Sequence, residues 1–194
     1  MKFNKVLLLL VPAVLLMAVA IGFIAVNSGN SSSASSWLDN YVPVHSLGTG
    51  TDDFWITYPP SHPLNGQPTS HPQWVIDSLE NSCVLLVTHR TGCYWCQPQA
   101  DRVIEFGNIY KNDLTFYDLD LELGGDAESK GYDSIAYDPD YYPHYIALTA
   151  IITLIDNNGS AMWCWHGWEG DMTESDLEGW IKDGIYYYYI NSGG

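Results

Sequence analysis

Residues 6–26 run without a charge or a strongly polar side chain, between Lys2 and Lys5 on one side and the polar stretch Asn27-Ser28-Gly29-Asn30-Ser31-Ser32-Ser33 on the other. About 20 apolar residues at 1.5 Å each cross a bilayer core of about 30 Å, whereas the core of a secretory signal has roughly 7 to 15. The pattern predicts a membrane helix over 6–26 within an anchor segment 1–27. Pro12 and Gly22 are tolerated in such helices. The lysines ahead of the run keep the N-terminus cytoplasmic, so the chain is single-pass with its C-terminal part extracytoplasmic. A cleaved signal peptide with a long core is the competing reading, because small residues near the end of the run suit a peptidase. Both readings export the rest of the chain.

Residues 28–53 have the Ser/Gly-rich composition of a linker and extension, and Phe54-Trp55-Ile56-Thr57-Tyr58 predicts a first strand that Pro59-Pro60 ends. Ser70-His71-Pro72 opens a short helix whose apolar face is Val75, Ile76 and Leu79. Residues 83–87 are apolar without alternation, the pattern of a central strand buried on both faces. Ala100, Val103, Ile104 and Gly107 recur at helical spacing, with Pro98 early enough to be accommodated in the first turn. Residues 114–121 alternate as a strand whose phase slips midway, from Leu114 and Phe116 to Leu119 and Leu121. A long, tyrosine-rich insert at about 124–148 follows. Residues 151–155 and 161–165 flank Asp156-Asn157-Asn158-Gly159 as a β-hairpin. Thr173-Glu174-Ser175-Asp176 resembles a capping box ahead of a helix with Leu177, Trp180, Ile181 and Ile185 on one face. The order β, α, β, α, β, insert, hairpin, α packs as an α/β fold, a mixed sheet covered by helices on both faces.

Composition narrows the function. After Ser36 five Lys and Arg stand against 23 Asp and Glu, a formal charge of −18 for the exported part. Such a charge repels phosphate backbones and anionic head groups, which excludes nucleic acid as a partner. Eight Trp and fourteen Tyr argue against a disordered ectodomain. The roughly 158 residues after the linker suit one domain with a sizeable core. Four cysteines are too few for a disulfide-stapled scaffold, and a domain of this size needs no stapling.

Two of those cysteines carry candidate chemistry. Cys93 and Cys96, in Thr91-Gly92-Cys93-Tyr94-Trp95-Cys96-Gln97, lie between the central strand and the following helix. The first free N–H groups of a helix and its dipole stabilise a thiolate at Cys93, and Cys96, one turn inside, is more shielded. Thiol–disulfide exchange follows from that setting. Arg90 and His89, just upstream, are among the few basic groups of the domain and are candidates to favour the thiolate, with a solvated arginine as the alternative. His166 is either a proton shuttle across from the pair or a hydrogen-bonded structural histidine.

This order of elements, with Gly92-Cys93-Tyr94-Trp95-Cys96 at the second strand–helix junction, resembles the thioredoxin family over about residues 54–190. The strand Ile151-Ile152-Thr153-Leu154 before an Asn-Gly turn and Gly167 after the last strand add to the likeness. The resemblance implies a thioredoxin-like domain over 54–194 and a redox-active disulfide, with Cys93 as nucleophile and Cys96 as resolving thiol. It makes Tyr94 and Trp95 the dipeptide that tunes the potential, and places Gly167 close to the site. It also implies that the strands of Cys83 and Cys164 are separated by a third, too far apart for a disulfide, so that both are buried free thiols. Two departures stand out. The position facing the disulfide, a cis-proline in the family, falls on Ala150, Ile151 or Ile152, where a trans bond is expected. Val87 stands where many thioredoxins have a buried acid.

The function expected is a membrane-tethered extracytoplasmic thiol–disulfide oxidoreductase that needs no cofactor. Its partners are exported proteins with thiols or disulfides and an electron donor or acceptor. Two other readings stay open: a thioredoxin-fold binding module whose disulfide is only structural, and a module in which Cys93 and Cys96 join His89 or His166 around zinc or copper.

Overall fold

The computed structural model describes residues 37–193. The anchor expected over 6–26 lies outside the described residues; among these, no helix is long and apolar enough to cross a membrane.

After a 3-10 turn at Leu38–Asn40 come β1 (Ser46–Leu47), β2 (Asp53–Phe54), α1 (Gln73–Leu79), β3 (Cys83–His89) and α2 (Gln97–Ile109). They are followed by β4 (Leu114–Asp120), α3 (Gly125–Asp133), a second 3-10 turn at Ser134–Tyr137, β5 (Leu148–Asn157), β6 (Ser160–Glu169) and α4 (Glu174–Asn191). The main sheet has the order β4-β3-β5-β6. β3 and β4 are parallel, and β5 is antiparallel to both its neighbours, so the sheet is mixed. The arrangement is compatible with a thioredoxin-like fold.

All seven residues of β3 are buried, which accounts for its unbroken apolar run. Strand alternation sends Cys83, Leu85 and Val87 to one face, into a cluster with Ala100 and Val103 of α2 and Leu177 and Ile181 of α4. Val84 and Leu86 go to the other face, with Val75 and Leu79 of α1. The same rule explains the slip in β4, whose backbone is continuous. Leu114 and Phe116 face the α2 cluster, whereas Tyr117 and Leu119 face the α1 cluster. Asp118 and Asp120 continue the α2-side parity beyond the apolar part of that face.

The hairpin forms about a two-residue loop, Asn158-Gly159, but its strands are longer than the pattern indicates. Thr173 caps α4 by accepting the Asp176 N–H at 3.2 Å. Cys83 and Cys164 are buried free thiols on β3 and β6, with β5 between them, and burial pushes both pKa values up.

Three elements differ from expectation. The strand over 54–58 shrinks to β2 and two isolated bridges: Thr57 pairs with Pro68, and Trp55 and Trp165 exchange backbone hydrogen bonds of 2.8 and 3.0 Å on the β6 edge. The insert begins with α3, which has no apolar stripe to announce it. Gly131 lets α3 lie so close to the end of β4 that a Cβ there would meet Leu121 Cδ2 at 2.5 Å. Lys130 of the same helix stands over the rings of Trp74 and Tyr117, 5.5 and 4.9 Å from their centroids.

The third difference concerns residues 37–53, which have a linker's composition yet pack on α4. The buried Asp183 carboxylate accepts from Tyr41 Oη at 2.6 Å, Val44 N at 3.1 Å, His45 N at 2.8 Å and His45 Nδ1 at 2.6 Å. The Trp180 ring is stacked against His45 at 3.4 Å and His166 at 3.7 Å.

Candidate redox site

β3 delivers the chain to a short loop that ends at Cys93, and Cys96 is the N-cap of α2. Cys93 and Cys96 form a disulfide with their Cα atoms 5.3 Å apart. The N–H groups of Cys96 and Gln97 donate to the Cys93 carbonyl at 3.1 Å, and the Cys96 N–H also points at Cys93 Sγ, 3.2 Å away. When the disulfide opens, that N–H and the helix end behind it favour a thiolate on Cys93 over one on Cys96. Burial divides the pair in the same sense: Cys93 is partly exposed and Cys96 is fully buried beside the α2 cluster. Tyr94 and Trp95 stand out from the loop, 79% and 82% exposed, with their rings edge to face. Neither packs beneath it.

The loop is pinned from β4. Asp120 accepts the Thr91 and Glu122 N–H groups at 3.0 and 2.9 Å and the Thr91 hydroxyl. Burial raises the Asp120 pKa, but these hydrogen bonds outweigh it and hold the carboxyl below its ordinary range. Arg90 is turned to the surface, where its Nε meets Glu122 at 2.9 Å with both side chains about half exposed. His89 is turned inward, and its Nε2 lies 2.7 Å from Asp118 Oδ1. The hydrogen bond to Asp118, opposed by burial, raises the His89 pKa. Asp118 and Asp120 escaped the sequence reading as site residues; the phase slip in β4 is their trace.

The other expected neighbours belong to β5 and β6. Ala150 and Ile151 are inside β5, paired with Leu86 and Leu85 of β3, and not at its start. The hairpin begins at Leu148, opposite Thr88; the bonds before Ala150, Ile151 and Ile152 are trans, as expected, and Ile146–Ala147, ahead of the strand, is cis. Ala147 and Ile151 both belong to the buried cluster that holds Cys96 and Val87. Leu148 and Thr149 are already buried strand, so the first strand of the hairpin starts ahead of 150–152. His166 bonds to the Asp53 carbonyl at 2.9 Å and stacks on Trp180, and burial pushes its pKa down to about 4.

Gly167 pairs with Ala150, and a Cβ there would run into the Tyr137 carbonyl oxygen. Gly167→Ala is therefore expected to cost roughly 1 to 3 kcal/mol, the range for overpacking against an unyielding neighbour. Chemical denaturation measures the loss, and alkylation of the reduced Cys93 is expected to keep its rate.

Among the described residues the carboxylates close enough to share a cation are Asp138, Asp140 and Glu169, whose ligand atoms lie within 4.8 Å of one another. Neither the cysteines nor His89 and His166 belong to that group. Burial first, then the nearby Asp138 and Asp140, push the Glu169 pKa from 4.5 up to about 7. The folded state thus holds a proton that the unfolded state has lost between these values, and stability falls as pH rises through that window. Glu169→Gln keeps an acceptor for the Tyr145 N–H and removes the titration. Melting in a chelating buffer is expected to show the variant gaining on the native chain from pH 4.5 to 7.

Comparison with models of known protein families and with curated proteins finds no match to this chain. The site defines a class by its geometry: a mixed α/β fold with a C-x-x-C disulfide where the central strand meets a helix.

Proposed function

We propose that this chain is a thioredoxin-like thiol–disulfide oxidoreductase, tethered by residues 6–26 to a membrane and exchanging disulfides with exported proteins. The observation that carries the reading is the inequality of the two sulfurs: Cys93 is partly exposed and receives the Cys96 N–H, whereas Cys96 is buried. A structural disulfide has no need of that difference. A two-step exchange uses it, since the thiolate that attacks must be stabilised and reachable and the one that resolves must wait.

The Cys93 thiolate attacks a client disulfide, forming a mixed disulfide and releasing one client sulfur. Cys96 then attacks Cys93, which releases the second client thiolate and leaves the Cys93–Cys96 bond. Run in reverse, the same steps oxidise a client dithiol. The exposed Tyr94 and Trp95 offer an apolar rim to a client segment. The test is turnover of a model protein disulfide by the reduced chain, expected to fall to the buffer rate in Cys93→Ser. Turnover unchanged by that substitution refutes the reading.

A further inference from the structure

Cys96 poses a problem that the site must solve. Its sulfur is fully buried, and it must lose a proton before it can attack Cys93. Val87, fully buried on the adjoining strand, has no proton acceptor to offer. His89 is two residues further along β3, so alternation puts its ring on the face that carries Val87 and the Cys96 cluster. It lies at the sheet end from which the loop to Cys93 departs.

The His89 side chain is 8% exposed and has one nitrogen committed. An ionised carboxylate only accepts, so at 2.7 Å from Asp118 Oδ1 it is Nε2 that carries the proton. In the neutral ring Nδ1 is then a bare lone pair, buried and without a hydrogen-bond partner among the described residues. A buried acceptor left empty is costly, and in a native site it calls for an explanation. The charged groups around the ring are Asp118 and Asp120 from β4 and Asp101 from α2, all acidic. They favour an imidazolium, which is the state the ring must reach if it takes up a proton.

We propose that His89 is the proton acceptor for Cys96, with Asp118 as the residue that positions the ring and fixes its tautomer. The proposal rests on the exchange chemistry above. In the resolving step the Cys96 S–H proton passes to His89 Nδ1 and the Cys96 thiolate attacks Cys93 Sγ. The bond between Cys93 and the client sulfur breaks, and the client sulfur leaves with the electron pair. Two thiols' worth of electrons stay with the client, and Cys93 and Cys96 end as the disulfide. In the reverse direction the imidazolium returns its proton to Cys96 as the leaving thiolate. Asp118, by favouring the charged ring, sets the pH at which the acceptor becomes filled.

The test uses the full chain in mild detergent, reduced and mixed with 5,5′-dithiobis(2-nitrobenzoate). Attack by Cys93 releases a first thionitrobenzoate, and resolution by Cys96 releases a second from the same chain. In His89→Gln the second release is expected to slow by about 10²-fold near neutral pH, the scale of a lost general base, and to recover as the pH is raised. The first release should change far less. Asp118→Asn keeps the base but lowers its pKa, so the acid limb of the second step should move to lower pH with its plateau retained. A second step in His89→Gln with the native pH profile overturns the proposal, as does an unmoved acid limb in Asp118→Asn should His89→Gln fail to fold. A chain that releases both thionitrobenzoates with His89 dependence but turns over no protein disulfide upholds the proton acceptor and removes the oxidoreductase reading.

Discussion

Cys96→Ser is expected to turn a transient intermediate into a stable product. The variant keeps the Cys93 thiol partly exposed at the end of α2, so attack on a client disulfide proceeds. It lacks the sulfur that displaces the client, so the mixed disulfide at Cys93 accumulates, approaching one client per chain. Non-reducing electrophoresis and intact mass show the adduct, and the double substitution Cys93→Ser, Cys96→Ser is expected to show none. Cys83 and Cys164 do not confuse the count, since both are buried with raised pKa values. The trapped species also names the clients, because each adduct carries its partner. A Cys96→Ser chain that forms no adduct with any disulfide, or forms it equally well without Cys93, contradicts the assignment of roles.

The largest expected loss of stability lies away from the cysteines, at Asp183. Its carboxylate is fully buried and gathers four donors from residues 41–45, two of them backbone N–H groups. Asp183→Ala removes the shared acceptor, so either these donors stay buried without a partner or the segment detaches and uncovers Trp180. Orphaned buried donors cost about 1 to 3 kcal/mol each, and four share this acceptor, though a segment that detaches into water escapes part of that cost. A loss of about 3 to 5 kcal/mol is therefore expected, a large share of the roughly 5 to 15 kcal/mol that holds a domain together. Urea unfolding measures it. Chymotrypsin reports which segment has moved, with new cleavage expected at Tyr41 or Leu47 under native conditions. Asp183→Asn retains one carbonyl oxygen and is expected to lose less. Stability within about 0.5 kcal/mol of the native chain in Asp183→Ala, the range of ordinary surface substitutions, is the contrary result.

How much of this is legible in the chain depends on whether an element is held by a pattern or by a contact. β3 and the Asn158-Gly159 hairpin announce themselves, because burial on both faces requires an unbroken apolar run and a two-residue turn requires particular residues. α3 does not, because it is held by the close approach at Gly131 and by Lys130 over two rings, and neither leaves a periodic apolar trace. The segment 37–53 has the composition of a linker because it is fixed by single polar contacts to Asp183 and by ring stacking on Trp180.

The candidate site divides in the same way. Cys93 and Cys96 are local in sequence, and their spacing and place before α2 are visible at once. His89 and Asp118 are 29 residues apart and meet only through the parallel register of β3 and β4. The slip in β4 marks where its α2-side face turns from apolar to acidic, but which strand that face meets is a matter of topology. The residues expected at the hairpin's start were misplaced for a related reason: Thr149, a polar residue, looks like a boundary, yet it is buried strand that accepts a hydrogen bond from Gln99 of α2 at 3.1 Å.

The central claim is that the Cys93–Cys96 bond opens and closes in use. Equilibrating the full chain with glutathione buffers of graded potential, then alkylating and weighing it, gives the midpoint of that bond directly. A cycling site predicts a midpoint between about −270 and −120 mV, the span of thiol–disulfide oxidoreductases. A bond that stays closed below about −300 mV, as structural disulfides do, contradicts the account.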